Sequence, residues 1–300
     1  MLLFPRNKIK IKTMGGKAVK NVTRIYKEEM LPTLHVLQEH LYQALGISIQ
    51  DVEYAVCGSF LGKDSCGDID IAFEWNKVKF PYNATKESIT KRLNDLYVTL
   101  PDYYYNKGFD IHSIPFPIFN EFGRTDRYVQ VDIMGVDNLE MAKWGMYSDP
   151  NSEFKSAFRN SLLNHLANQI REDNEVTSDG QVLTFTRLGF DHQRGLFRIK
   201  KTFKGTREGF ICKNSKTLEK EIIQTHPINI VRILFNEDIE PNKVNDWKFI
   251  WDKISNPSFH LYDRLFAIVK GVVEEMERKE LDYPQVVKDY WAEQINDETK

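Results

Sequence analysis

Cysteine is scarce in this 300-residue sequence, which contains three: Cys57, Cys66 and Cys212. They are widely separated and form no CxxC pair, which excludes a disulfide framework and a cysteine-based zinc site. We expect reduced thiols in a reducing compartment. No segment approaches the roughly 18 apolar residues of a membrane-spanning helix, and the apolar run in MLLFPRNKIKIK is too short for a signal sequence. These absences predict a cytoplasmic protein without membrane association.

An excess of either charge is also absent. The chain has 41 Lys and Arg against 43 Asp and Glu, a formal net charge of -2. A protein whose whole surface binds a polyanion needs a strong positive excess, so any contact with nucleic acid must be local. Hydrophobic residues make up 41% of the sequence, which is enough to bury at least one sizeable core.

The spacing of apolar residues predicts an α+β fold. Predicted strands lie at residues 52–57, 69–73 and 128–134, and predicted helices at 19–45 and 85–96. Pro32 is expected to kink or split the first helix. These elements form a small mixed β-sheet domain, 1–150, with a basic N-terminal arm.

The second half of the chain has a different pattern. A mostly helical domain, 151–300, is predicted after a boundary near residues 148–152. It includes a β-hairpin of residues 182–186 and 196–203, and everything from about residue 216 is predicted to be helical.

Three aspartates in predicted strands are the candidate catalytic residues. Residues two apart on a strand share a face, so Asp68 and Asp70 in DIDI project together. Two such carboxylates repel each other unless a cation neutralises them, and Mg²⁺ prefers carboxylate oxygens together with substrate phosphates. Asp132, in the middle of the strand YVQVDIM, is the best third ligand because a lone charge there would be costly to bury. The pattern predicts a site for two Mg²⁺ ions, with Mn²⁺ as an alternative.

A phosphate-binding turn is predicted just before the first two aspartates. Gly58 and Ser59 follow a predicted strand, where glycine lets backbone N–H groups and a hydroxyl approach phosphate oxygens closely. Lys63 could reach the same phosphates. Alone, a Gly-Ser pair is more often an ordinary turn and an Asp-x-Asp strand more often an exposed edge, but together with Asp132 they favour an active site.

The order Gly58-Ser59, Asp68-Ile69-Asp70 and Val131-Asp132-Ile133 resembles the signature of the DNA polymerase β-like nucleotidyltransferase superfamily. The resemblance covers about residues 50–135. It implies a protein that binds a nucleoside triphosphate such as ATP with Mg²⁺ and transfers a nucleoside monophosphate, releasing pyrophosphate. It also implies that Asp68 and Asp70 hold both metals, that Asp132 holds the catalytic one, and that Gly58 and Ser59 bind the triphosphate.

The helical region after the third aspartate is similar to the template-independent branch of that superfamily. This branch includes CCA-adding enzymes, poly(A) polymerases and oligoadenylate or cyclic-dinucleotide synthases. The family often has Arg or Lys in the loop after Gly-Ser, whereas Lys63 is the one basic residue between Ser59 and Asp68 here.

Further cations suggest contacts to the triphosphate and to an acceptor. Lys155 and Arg159 lie four apart on a predicted helix, where they could reach the triphosphate together or form a solvated face. Residues 194–220 contain nine Lys or Arg interleaved with phenylalanines, a mixture that suits a nucleic-acid strand or a hairpin with one charged face. The first choice of acceptor is therefore an RNA 3′ end; a small molecule, a second nucleotide or a protein hydroxyl is the alternative. A non-catalytic regulatory or inhibitor protein is an alternative of another class.

Overall fold

The structure is a computed structural model that describes residues 18–47, 56–58, 63–80, 82–107, 110–147, 154, 156–176, 182–204 and 216–298. Eight helices and three sheets occur among these residues, so the predicted α+β class is confirmed. The chain divides into two compact units. One consists of Met1–Val56 and Phe60–Gly135, and the other of Cys57–Ser59 and Val136–Lys300. The change at Gly135 lies earlier in the chain than the predicted boundary near 148–152.

The first unit is built on a four-stranded sheet. Its described elements are β1 (Ile25–Tyr26), α1 (Lys27–Leu45), β2 (Ser65–Cys66), β3 (Asp68–Glu74), α2 (Lys86–Tyr97), β4 (Tyr104–Asn106), β5 (Ile111–Asn120) and β6 (Gly123–Val136). Strands β1 and β2 pair with each other, and the remaining four form a sheet in the order β3-β6-β5-β4. Helix α1 packs against β5. The predicted strands at 69–73 and 128–134 fall within β3 and β6, while most of the predicted strand at 52–57 lies outside the described residues.

Helix α1 begins at Lys27, later than the predicted start at residue 19. The preceding residues Ile25 and Tyr26 pair with β2 instead, and the backbone N–H of Tyr26 donates to Glu29 Oε2 at 3.0 Å, which fixes the start of the helix. The helix runs unbroken through Pro32, so the predicted split is wrong. Pro32 lacks the N–H that would bond the carbonyl of Glu28, and the helix continues without that one hydrogen bond.

The β5–β6 hairpin sets the position of the third aspartate. In its antiparallel register Ser113 lies opposite Asp132, and Pro115 lies opposite Gln130. On the other face of β6, Val129, Val131 and Ile133 are completely buried. The alternation in YVQVDIM therefore directs the apolar side chains to the core and the polar ones to the opposite face.

The second unit combines helices with a separate sheet. Its described elements are α3 (Leu139–Met146), α4 (Ser156–Gln169), β7 (Arg171–Val176), β8 (Val182–Asp191), β9 (Gly195–Lys204), β10 (Lys216–Gln224), α5 (Pro227–Phe235), α6 (Trp247–Ile254), α7 (Leu265–Arg278) and α8 (Gln285–Glu298). The four strands are antiparallel in the order β10-β9-β8-β7. The predicted hairpin is present as β8 and β9, but both outer strands were missed.

The prediction of helix from residue 216 is wrong for Lys216–Gln224, which is strand β10. The sequence KTLEKEIIQ is rich in residues that favour helices, yet it pairs along β9 with Ile222 opposite Phe197. Pairing with a neighbouring strand overrides a weak local preference. In the described part of the chain, no helix is long and apolar enough to cross a membrane.

Candidate metal centre

Strand β3 presents two carboxylates on one face. Asp68 and Asp70 are half-buried, whereas Ile69 and Ile71 between and after them are buried in the core. Strand β3 is the last strand of its four-stranded sheet, and an antiparallel bridge joins Ile71 to Val56. The alternation of aspartate and isoleucine therefore fixes the direction of both carboxylates, as the sequence predicted.

Asp132 lies on the neighbouring strand β6 and completes the cluster. One carboxylate oxygen from each of Asp68, Asp70 and Asp132 lies within 4.8 Å of the other two. Two oxygen ligands on opposite sides of an octahedral Mg²⁺ ion are about 4.2 Å apart, because each Mg–O distance is about 2.0–2.1 Å. The cluster therefore has nearly the span that a shared Mg²⁺ ion requires.

A buried amide orients Asp132. Gln130, which is fully buried, donates from Nε2 to Asp132 Oδ1 at 2.9 Å and to Oδ2 at 3.0 Å. Its Oε1 accepts from the backbone N–H groups of Ala18 and Val19 at 3.0 and 3.1 Å. Because those two groups can only donate, the amide oxygen must face them and the amide nitrogen must face Asp132. Ser113 also donates a hydrogen bond to this carboxylate.

The pKa values of two of these carboxyl groups are raised. Burial, with the charges of Asp68 and Asp132, raises the pKa of Asp70 well above its usual range. Burial raises the pKa of Asp132 to about 6; the hydrogen bonds from Ser113 and Gln130 act in the opposite direction, and the charge of Asp68 acts in the same one. Crowded, partly desolvated carboxylates bind a proton or a cation to relieve their repulsion. Three hard oxygen donors in this arrangement suit a divalent ion such as Mg²⁺.

The predicted phosphate-binding turn is described in part. Gly58 has a backbone φ of +72°, in the left-handed region that favours glycine. Ser59 lies outside the described residues. Lys63 is half-buried beside the start of β2, where its charge lowers the pKa of the Cys66 thiol against the larger opposing effect of burial. Binding of a triphosphate by Gly58, Ser59 and Lys63 stays a prediction.

Arg159 lies in the interior, which is open to neither of its predicted roles, a contact to the triphosphate or part of a solvated face. Its side chain is 2% exposed, and its Nη2 donates to the carbonyl oxygens of Trp144 and Gly145, both at 2.8 Å. Its Nη1 donates to Asn245 Oδ1 at 2.7 Å, and burial lowers its pKa to about 10. The guanidinium group thus adds donors to two carbonyls in the last turn of α3, which also accept from the backbone N–H of Tyr147 and from Asn160 Nδ2. Lys155, its predicted companion, lies outside the described residues.

Sequence reasoning missed Gln130 and Ser113. Gln130 was detectable, because it lies two residues before Asp132 in YVQVDIM and therefore shares its face of the strand. Ser113 had no such signal, since its position opposite Asp132 depends on the register of the hairpin. The chain matches no protein-family model, and it has no significant match among curated proteins.

Proposed function

We propose that this protein is a Mg²⁺-dependent nucleotidyltransferase that transfers a nucleoside monophosphate to an acceptor hydroxyl. The observation that supports the proposal is the meeting of Asp68, Asp70 and Asp132, from two neighbouring strands, within 4.8 Å of one another. The two strands are about sixty residues apart in the chain, and clustering their carboxylates costs free energy, because like charges repel and buried charges lose hydration. An active site that binds metal is a physical reason to keep them together.

Each aspartate has a role in this proposal. Mg²⁺, when bound, would offset the negative charges of the carboxylates and of the phosphates. Asp68 and Asp70 would hold the ions. Asp132 would accept the proton of the acceptor hydroxyl. The hydroxyl oxygen would bond to the α-phosphorus while the bond from that phosphorus to pyrophosphate breaks. A carboxylate with a pKa of about 6 is suited to take a proton near neutral pH.

The triphosphate and the acceptor are assigned by the sequence pattern and the family resemblance. Gly58, Ser59, Lys63 and Lys155 would bind the triphosphate, ATP being one candidate, while Arg159 has a structural role instead. The acceptor we favour is an RNA 3′ end. Transfer to a small molecule, a nucleotide or a protein is the alternative, and labelling distinguishes these acceptors directly.

The test is to incubate the protein with each α-³²P-labelled triphosphate, Mg²⁺ and total cellular RNA, and to identify what becomes labelled. We expect label in RNA and stoichiometric release of pyrophosphate. Asp68→Ala and Asp132→Asn should abolish both, since each removes a metal ligand. Asp126→Asn is the matched control, because Asp126 lies on the same strand as Asp132 but is exposed and outside the cluster.

Two results would count against the proposal. Pyrophosphate release that persists in Asp132→Asn would show that the cluster is not the catalytic site. A wild-type chain that binds neither triphosphate nor Mg²⁺ by calorimetry would favour a non-catalytic regulatory protein.

A further inference from the structure

Three cations lie together on one side of the sheet in the second unit. We call them the cationic patch: Arg171, Arg187 and Lys201. In the antiparallel register, Arg171 lies opposite Arg187, and Lys201 lies opposite Phe185, two residues before Arg187 on β8. Residues directly opposite each other, and residues two apart on a strand, point to the same side of a sheet. The cationic patch and Phe185 therefore share one side.

The cationic patch lacks an acidic partner among the described side chains. The charge of Arg171 adds to burial in lowering the pKa of Arg187, and the charge of Arg187 adds to burial in lowering the pKa of Lys201. The Nε of Arg187 is buried and has no hydrogen-bond partner among the described residues. Buried donors in proteins are nearly always paired. A water molecule could satisfy the Nε, but only an anion would also relieve the repulsion among three cations.

Arg198 on the same sheet provides a contrast. By register it lies opposite Leu188, so it projects from the side away from the cationic patch. It forms ion pairs with Glu172 at 2.5 Å and Glu221 at 2.6 Å. The sheet therefore neutralises Arg198 with two carboxylates and leaves the cationic patch without any, among the residues that the structure describes.

The extent of this surface indicates the kind of anion. Lys220, on the outer strand β10, is exposed and lies over the ring of Phe197 at 3.9 Å, and its register opposite Ile199 places it on the same side as Arg187. The guanidinium group of Arg171 lies 5.8 Å from the centre of the Phe185 ring. Cations therefore cross all four strands, a width of about 14 Å at the usual strand spacing of about 4.8 Å. Cations repeated across the sheet suit a chain of phosphates more than they suit a single phosphate.

We propose that the cationic patch binds the phosphate backbone of single-stranded nucleic acid. It would thereby hold the acceptor strand, an identification that rests on the function proposed above. Of the predicted acceptor-binding segment 194–220, the described residues Lys201 and Lys220 belong to this surface, whereas Arg198 does not contribute. Arg171 and Arg187 lie outside that segment, and strand pairing in the sheet brings them to the same side as Lys201.

The test is fluorescence anisotropy of a labelled single-stranded RNA 20-mer with the full chain, without Mg²⁺ or triphosphate, over a series of salt concentrations. In wild type, affinity should fall steeply as salt rises. The triple variant R171Q/R187Q/K201Q should bind at least tenfold more weakly, and its log–log salt slope should be smaller by about 2, since each phosphate contact on a single strand contributes about 0.7. R198Q is the matched control and should change affinity less than about twofold, because Arg198 is already neutralised.

Folding and catalysis are measured separately. Removing cations that repel one another should leave the thermal midpoint of the triple variant unchanged or higher. If the triple variant fails to fold, the exposed Arg171 is changed alone, and a smaller loss of affinity is expected.

Equal RNA binding by the wild type and by folded variants would overturn the proposal, as would wild-type binding to anionic lipid vesicles but not to RNA. RNA binding that depends on the cationic patch in a chain without transferase activity would support this proposal while refuting the catalytic one.

Discussion

At the scale of single residues, the account depends on carboxylates held where they repel one another. Asp70 and Asp132 both have raised pKa values, chiefly because they are buried and secondly because they lie beside other carboxylates. A carboxyl group whose pKa is higher in the folded than in the unfolded state holds its proton more tightly when folded. Its contribution to stability is therefore present at low pH and is lost as the pH rises through the folded-state pKa.

The first prediction concerns this pH dependence. The pKa of Asp132 is raised from 3.8 to about 6, so in metal-free protein this group should destabilise the fold increasingly between about pH 4 and pH 7. At pH 8 the variant Asp132→Asn should be more stable than wild type, by on the order of 1–3 kcal/mol. The difference should shrink below pH 5 and on addition of Mg²⁺. Thermal unfolding across pH with EDTA measures it, and a wild-type chain that is the more stable one at pH 8 would contradict the assignment.

The second prediction concerns Gln130. Its Nε2 donates to both oxygens of Asp132 and favours the ionised form of that carboxyl group. Gln130→Met should weaken Mg²⁺ binding about tenfold or more and shift it to higher pH, because a hydrogen bond to a charged group is worth about 1.5–3 kcal/mol. Gln38→Met is the control, since Gln38 is another buried glutamine, on α1. Calorimetric titration with Mg²⁺ at two pH values is the measurement, and equal metal affinities in the two variants would argue against an orienting role.

At the scale of secondary-structure elements, the sequence predicted the strands and helices whose signals are local, such as the alternation of polar and apolar residues or a capping residue. The alternating strands β3 and β6 were predicted, and so was α2, where Thr85 Oγ1 accepts from the backbone N–H of Ser88 at 3.2 Å. Strand β10 was not predictable, because its charged sequence favours a helix and its extended form depends on β9. Arg159 was misjudged for a related reason. Its partners on α3 and at Asn245 are brought to it by tertiary packing, which helical spacing does not reveal.

The third prediction tests the role of Arg159 as a partner of helix α3. Arg159→Met removes the guanidinium donor from two carbonyl oxygens and from Asn245 Oδ1, so it should lower the free energy of unfolding by about 1–3 kcal/mol. Each carbonyl keeps one other donor, the backbone N–H of Tyr147 or the side chain of Asn160. Arg232→Met is the control, because the ion pair of Arg232 with Asp238 is exposed and worth less than about 1 kcal/mol. Urea unfolding compares the two. Unchanged stability with a loss of triphosphate affinity would restore the phosphate-binding role first predicted for Arg159.

At the scale of the whole molecule, the three aspartates meet because one sheet places β3 beside β6. The sequence motifs predicted which three aspartates act together, and the family resemblance predicted the chemistry that they would perform. Neither could supply the distance between strands that are about sixty residues apart in the chain, nor the cationic patch, which draws residues from three strands. The change at Gly135 comes before the predicted boundary near 148–152 because α3 packs into the core of the second unit through Met141 and Trp144.

The most direct measurement of the central claim is divalent metal binding by the full chain. Titration of wild type with Mn²⁺, followed by electron paramagnetic resonance and by thermal midpoint, should show saturable binding and a higher midpoint. Asp70→Asn and Asp132→Asn should each weaken the binding at least tenfold, while Asp126→Asn should bind like wild type, since Asp126 lies outside the cluster. If Asp70→Asn and Asp132→Asn bind Mn²⁺ as tightly as wild type, or if wild type binds none at millimolar concentration, the cluster is not a metal centre.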